Sequence, residues 1–206
     1  MVKFTKYDLF TNNPKLNVSE NRAAQKWSKF ELVGRMLWEC FGIYLFRYSP
    51  RQMWIWRRAI LRLFGATVSH DVHIYPSVRI AIPWTLTVGE ASAIGDKAII
   101  YSLGPIMIGN QVTISQHVHL CAGSHEHQDP AMPLVKPAIC IGDGAWICAD
   151  SFIGPGVIVG PGSVVGARAV VTKNVAENYI VAGNPAQQIG VRKIGTIQKR
   201  ALDSDD

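Results

Sequence analysis

Few side chains in this sequence are able to move protons or hold metals. Four of its six histidines lie close together: His117, His119, His125 and His127. His125 sits in Leu120-Cys-Ala-Gly-Ser-His-Glu-His-Gln-Asp-Pro130, with Glu126 and Asp129 nearby. A neutral imidazole, with a pKa of about 6.5, can take a proton during attack by a weak nucleophile. Such a base needs a partner for its other ring nitrogen. Glu126, Asp129 or a backbone carbonyl would serve, and the sequence does not choose among them. His117 and His119 flank Val118 in one stretch of chain. A zinc site requires imidazoles converging from different strands, so this spacing favours a polar surface, and no metal is expected. Cys40, Cys121, Cys140 and Cys148 form no C-x-x-C pair. They read as reduced, small core residues, which points to a cytoplasmic protein.

These side chains need a scaffold, and the scaffold shows as a repeat. From Val68 onwards aliphatics recur every six positions: Val68, Ile74 and Ile80, then after a skip Val88, Ile94 and Ile100. A second skip leads to Ile108, Ile114 and Leu120, and a long break to Ile141, Ile147 and Ile153. Val159, Val165 and Val171 follow directly. The position four after each aliphatic is small in all but one case, Trp84. Short strands joined by tight corners explain both rows, with the aliphatic inside and the small residue where the backbone turns. Three such units close a triangular coil. The expected fold is an all-β solenoid, a parallel β-helix of about five coils over residues 66–176. It is preceded by an arm and amphipathic helical segment, 1–65, and followed by a short extension, 177–206.

The insertions support the triangle independently. Each follows the third register of its coil, so all leave from one edge of the prism. Residues 121–140 are the longest, and a loop held by a rigid scaffold is well placed for function.

The repeat seen at Ile108-Gly109, Ile141-Gly142, Ile153-Gly154, Val159-Gly160 and Val165-Gly166 resembles that of the hexapeptide-repeat acyltransferases. The His125 stretch and Ala182-Gly-Asn-Pro-Ala186 resemble, more narrowly, the colanic-acid-type sugar O-acetyltransferases of exopolysaccharide gene clusters. The resemblance covers about residues 50–195. It implies a left-handed coil, against the usual crossover rule. It also implies a homotrimer, acetyl-CoA as co-substrate, and a hydroxyl of a free or lipid-linked sugar as acceptor. His125 matches the catalytic base, with Glu126 and Asp129 as candidate support. Many relatives carry an Asn one coil earlier; here Tyr101 and Ser102 stand in that place and become candidate acceptor contacts. Trp146 matches an aromatic of the site wall. Ala149, Ala167 and Thr172 match cofactor contacts, and Lys173, Arg192 and Lys193 are candidate partners for CoA phosphates. Backbone N–H groups around Gly142, Gly144 and Ala145 are suited to a developing oxyanion. Direct transfer is expected, with Cys121, four residues before His125, as the near candidate for a covalent route. Other readings are a serine or streptogramin-type acceptor, a zinc-dependent carbonic-anhydrase-like β-helix, and a solenoid used only for assembly.

Residues 1–29 read as an extended arm without an apolar leader. Residues 30–65 read as helical, with a second helix from Gln52 to Phe64 stopped at Gly65. The Trp- and Arg-rich residues 50–64 have three readings: a cap on the solenoid, a subunit contact, or a peripheral membrane contact with arginines facing the headgroups. The last would place the protein at the inner face of the membrane. At 17% charged and 48% hydrophobic residues, disorder is excluded. The net charge of +6 calls for an anionic partner, but no nucleic-acid-binding motif accompanies it, so no nucleic acid is expected.

Overall fold

The computed structural model describes residues 18–24 and 26–193. All fifteen repeat aliphatics, from Val68 to Val171, are buried, and they form one continuous core. Their strands assemble into three parallel sheets, the faces of a prism. The first face stacks Thr67–Val68, Leu86–Val88, Ile106–Ile108, Ile139–Ile141 and Ile158–Val159. The second stacks His73–Ile74, Ala93–Ile94, Thr113–Ile114, Trp146–Ile147 and Val164–Val165. The third stacks Arg79–Ile80, Ile99–Tyr101, His119–Cys121, Phe152–Ile153 and Val170–Val171. Each aliphatic pairs with its equivalent one coil away, as in Ile94 with Ile114 and Ile100 with Leu120. The architecture matches the left-handed β-helix.

The coil count is about six rather than five. Val175 bridges to Val159, and Tyr179–Ala182 joins the second face beside Val164–Val165. Gln187–Val191 then folds back antiparallel and closes that end. The extra turn escapes the six-residue count because the corner after Val171 is two residues short.

Corner chemistry explains the glycines. A Cβ on Gly160 would lie 2.5 Å from the Glu177 backbone nitrogen in the next coil. Backbone cannot yield as a side-chain tip can, so Gly160→Ala should destabilise by roughly 1–3 kcal/mol, measurable by urea denaturation. An unchanged midpoint would show that the coils can part at no cost.

The helical segment closes the other end. Ser28 caps the helix Lys29–Leu37, its hydroxyl taking the Glu31 N–H while the Glu31 carboxylate takes the Ser28 N–H. A π-helical turn, Trp38–Gly42, leads into Ile43–Arg47. Gly42 is required there, because a Cβ would strike the Trp38 ring. The helix Trp54–Leu63 lies across the first coil. The terminal coil leaves carbonyls without a neighbouring strand, and arginines satisfy them. Arg57 donates to the Ile74 carbonyl at 2.6 Å, Arg58 to Val72 at 2.9 Å and Arg62 to Val68 at 2.8 Å. Capping is therefore what these arginines do. The reading with Arg turned towards headgroups is corrected, since Arg57 and Arg58 are buried. The expected arm also contains a short helix, Val18–Ala23; its residues 1–17 and 25 lie outside the described residues.

Candidate active site

One edge of the prism, between the third and first faces, collects most of the candidate site. In successive coils it carries Trp84, then Ser102–Gly104, then the 121–140 loop, Gly156, and Thr172–Lys173. A Cβ on Gly156 would rest 3.5 Å from Pro137, so the returning leg of the loop lies along this edge. The N-terminal segment runs there too. Lys136 donates to the Lys26 carbonyl at 3.1 Å and sits 3.4 Å over the Trp27 ring.

Within the loop, Ser124–His125 pairs antiparallel with Leu134–Val135. This hairpin holds His125 exposed at the surface. Its Nδ1 lies 2.6 Å from the Met132 carbonyl oxygen. A carbonyl only accepts, so Nδ1 carries the hydrogen, and in the neutral ring Nε2 is the nitrogen with the lone pair. The orienting group is thus the backbone carbonyl, the third of the options left open by the sequence. The carboxylates build the turn that presents it. Asp129 accepts the Ala131 N–H at 2.8 Å, and Glu126 accepts the Gln128 N–H at 3.2 Å. Met132 itself adopts a left-handed backbone, φ 48°, which turns its carbonyl towards the imidazole.

Two residues here escape sequence reasoning. Met132 acts through its backbone, which no side-chain pattern reveals. Asn21, from the helix Val18–Ala23, donates Nδ2–H to the same Met132 carbonyl at 2.7 Å. It is 111 positions away in the chain and carries no motif.

The candidate acceptor contacts do not meet on one surface of one chain. Tyr101 is half-exposed on the third face, its ring edge-on to His119. Ser102 is fully buried, donating to the Ile82 carbonyl at 2.8 Å and accepting the Ile82 N–H at 3.0 Å. Its hydroxyl binds coil to coil and is not presented to an acceptor. Trp146 is half-exposed on the second face and donates to the Ser115 hydroxyl at 3.0 Å.

The candidate cofactor residues separate likewise. Ala149 and Ala167 share the edge between the second and third faces, where the Arg168 N–H donates to the Ala149 carbonyl at 2.9 Å. Thr172 and Lys173 are exposed on the edge of the His125 loop. Arg192 belongs to the remaining edge, donating to the Gly144 and Gly162 carbonyls at 2.8 and 3.1 Å. It straps the C-terminal hairpin to the corners, and Lys193 beside it is exposed. A single chain therefore cannot lay all six along one cofactor.

His119 is packed edge-on between Tyr101 and Phe152, and burial lowers its pKa below the ordinary histidine value. A lowered histidine pKa means that the unfolded chain binds the proton more readily. Stability from this group is complete above about pH 6.5 and declines as pH falls from there towards the folded value. His119→Phe should flatten that part of a plot of unfolding midpoint against pH. An unaltered slope would assign it elsewhere. Among the described residues no three His, Cys, Asp or Glu side chains converge to hold a metal ion.

Comparison with known proteins accords with this architecture. Residues 141–173 match the model of the bacterial transferase hexapeptide (six repeats). The chain is 42% identical over 156 residues to WcaF of Escherichia coli (strain K12), assigned to colanic acid biosynthesis as an acetyltransferase. That match covers 76% of this chain and 86% of WcaF. A galactoside acetyltransferase solved in complex with coenzyme A superposes with a TM-score of 0.74 at 25% identity, covering 85% of this chain and 90% of that one. A maltose O-acetyltransferase from Clostridium difficile 630 shares the fold, with a TM-score of 0.71 at 24% identity over 81% of this chain and 90% of that one. With WcaF matched over most of both chains, this chain belongs to the hexapeptide-repeat acetyltransferases, alongside the colanic acid biosynthesis enzyme.

Proposed function

We propose that the protein transfers an acetyl group from acetyl-CoA to a sugar hydroxyl in the assembly of a surface polysaccharide, with His125 as general base. The observation that carries the base assignment is the His125–Met132 hydrogen bond of 2.6 Å, which puts the hydrogen of the neutral ring on Nδ1 and leaves Nε2 as its acceptor nitrogen on an exposed loop. Nε2 takes the acceptor hydroxyl proton as the oxygen attacks the thioester carbonyl. The tetrahedral intermediate then collapses, the C–S bond breaks, and the proton returns to the departing thiolate as CoA. The oxyanion donors expected at Gly142, Gly144 and Ala145 are corrected: their N–H groups already donate to the Val159, Asn110 and Gly142 carbonyls, so that corner has none to offer. Cys121, whose thiol lies 3.4 Å from the Gly123 carbonyl, is hydrogen-bonded to no base among the described residues, which supports direct transfer.

The scatter of Tyr101, Trp146, Ala149, Ala167, Thr172 and Lys173 over different faces and edges supports a homotrimer. A neighbouring copy would bring a second edge against the His125 edge and complete one site for acetyl-CoA and acceptor. We place this enzyme in the cytoplasm, where acetyl-CoA is available.

The test is release of free CoA thiol with sugar, serine and streptogramin-type acceptors, followed by mass analysis of each acceptor. A gain of 42 Da, the mass of one acetyl replacing one hydrogen, on a sugar alone is the expected result. Acetylation of serine or the drug instead would overturn the sugar assignment.

A further inference from the structure

The helix Lys29–Leu37 has no buried residue, although Phe30, Leu32, Val33, Met36 and Leu37 make up most of it. Phe30 is 92% exposed. The exposure continues through Phe41, Tyr44 and Tyr48, the two tyrosine rings stacked 6.1 Å apart. The next helix adds Ile55 and Leu63, both more than three-quarters exposed. It is tied to the helix Ile43–Arg47 by the Trp56 indole N–H, which donates to the Leu45 carbonyl at 2.9 Å. Scattered apolar residues on a surface are ordinary, but a run of aromatic and aliphatic side chains along connected helices marks an interaction surface.

Charge selects the occupant. Residues 26–64 contain eight Lys and Arg against two Glu. Arg57, Arg58 and Arg62 are engaged by the solenoid carbonyls, which leaves Lys26, Lys29, Arg35, Arg47 and Arg51 against Glu31 and Glu39 outside the cap. Lys29, Arg47 and Arg51 are exposed beside the apolar face. Aromatic and aliphatic side chains fringed by cations fit the interface of an anionic bilayer, whose headgroups meet the cations while the apolar groups enter the acyl boundary. Among the described residues no helix is long and apolar enough to cross a membrane, so the segment would lie on the surface.

We propose that the outer face of helices 29–48 and 54–63 docks this protein on an anionic lipid bilayer. Docking goes beyond the transferase reading and does not depend on it, but the two are linked in space. Asn21, Lys26 and Trp27, immediately before the docking helix, contact Met132 and Lys136 of the His125 loop. The loop is therefore held next to the start of the docking segment, where an acceptor carried on a lipid would be presented.

The experiment is flotation of the full chain with phosphatidylcholine vesicles, with and without phosphatidylglycerol. The protein should float with the anionic vesicles only. Binding should fall as salt rises from about 0.1 to about 1 M, because screening shortens from roughly 10 to 3 Å. The combined change Phe30→Ser, Phe41→Ser and Tyr48→Ser should reduce vesicle binding at least about tenfold. Acetyl-CoA binding by that variant should be unchanged, which also shows that it is folded. Failure of the native chain to float, or equal flotation of the variant, would overturn the proposal. A variant that instead loses mass in solution, with no flotation of the native protein, would assign the face to contact between copies and refute lipid docking.

Discussion

Arg57→Met should cost about 3–5 kcal/mol of folding stability, because the guanidinium is fully buried and its partners have no substitute. Arg57 donates to the carbonyls of Ile74, Pro50 and Arg51 and to the Ser49 hydroxyl, at 2.6, 2.8, 2.5 and 2.9 Å. It also lies 4.7 Å over the Trp54 ring. Removing the donors leaves those oxygens in a water-poor site at the solenoid end. Burial lowers the Arg57 pKa, but guanidinium stays charged at neutral pH, so the charge is held by these dipoles and the ring. Arg57→Lys should recover only part of the loss, since an ammonium cannot reach four acceptors in divergent directions. Denaturant midpoints of the three proteins give the measurement. A Met variant as stable as the native chain would mean that the end carbonyls are reached by water and that the cap is dispensable.

His125→Ala should lower kcat/KM for acetyl transfer by about 10²–10⁴-fold, the contribution of a positioned general base. In transition-state terms this is roughly 3–5 kcal/mol. His125→Asn is the more informative change. Its side-chain N–H can still donate towards the Met132 carbonyl, so the hairpin keeps its internal bond, but an amide cannot accept the acceptor proton. The two variants should therefore be equally slow. Activity retained by Asn and lost by Ala would make the residue a loop brace and place the base elsewhere. The hairpin projects from the coils, so neither change should lower the folding stability by more than about 0.5 kcal/mol.

Much of the scaffold is written in the sequence because a period of six is local. Ile94, Ile100 and Ile108 announce their burial by spacing alone, and the loop edge follows from where the spacing lapses. The sixth turn is hidden because the short corner after Val171 breaks the count just where Val175 and Val181 resume it. Arg57 is illegible for a different reason. Charge predicts exposure, and only the unpaired carbonyls of a terminal coil reverse that preference. The same limit applies to the site. His125 stands out by residue type and loop position, whereas its partner is a backbone carbonyl, which also accepts from an Asn 111 positions away. Ser102 was chosen by its place in the chain, yet it falls at a small inward site where a hydroxyl bonds to backbone. Resemblance groups Ala149 with Thr172, although counting registers from Ile147 places Ala149 on a different edge, and Arg192 joins them by its charge alone.

The most direct measurement takes native protein and His125→Asn at matched, saturating acetyl-CoA, with binding followed by calorimetry and transfer by CoA release to a sugar acceptor. The account predicts that both bind acetyl-CoA with the same affinity, while transfer by the variant falls at least about 100-fold. Equal binding with equal transfer would contradict the assignment of His125 as the base.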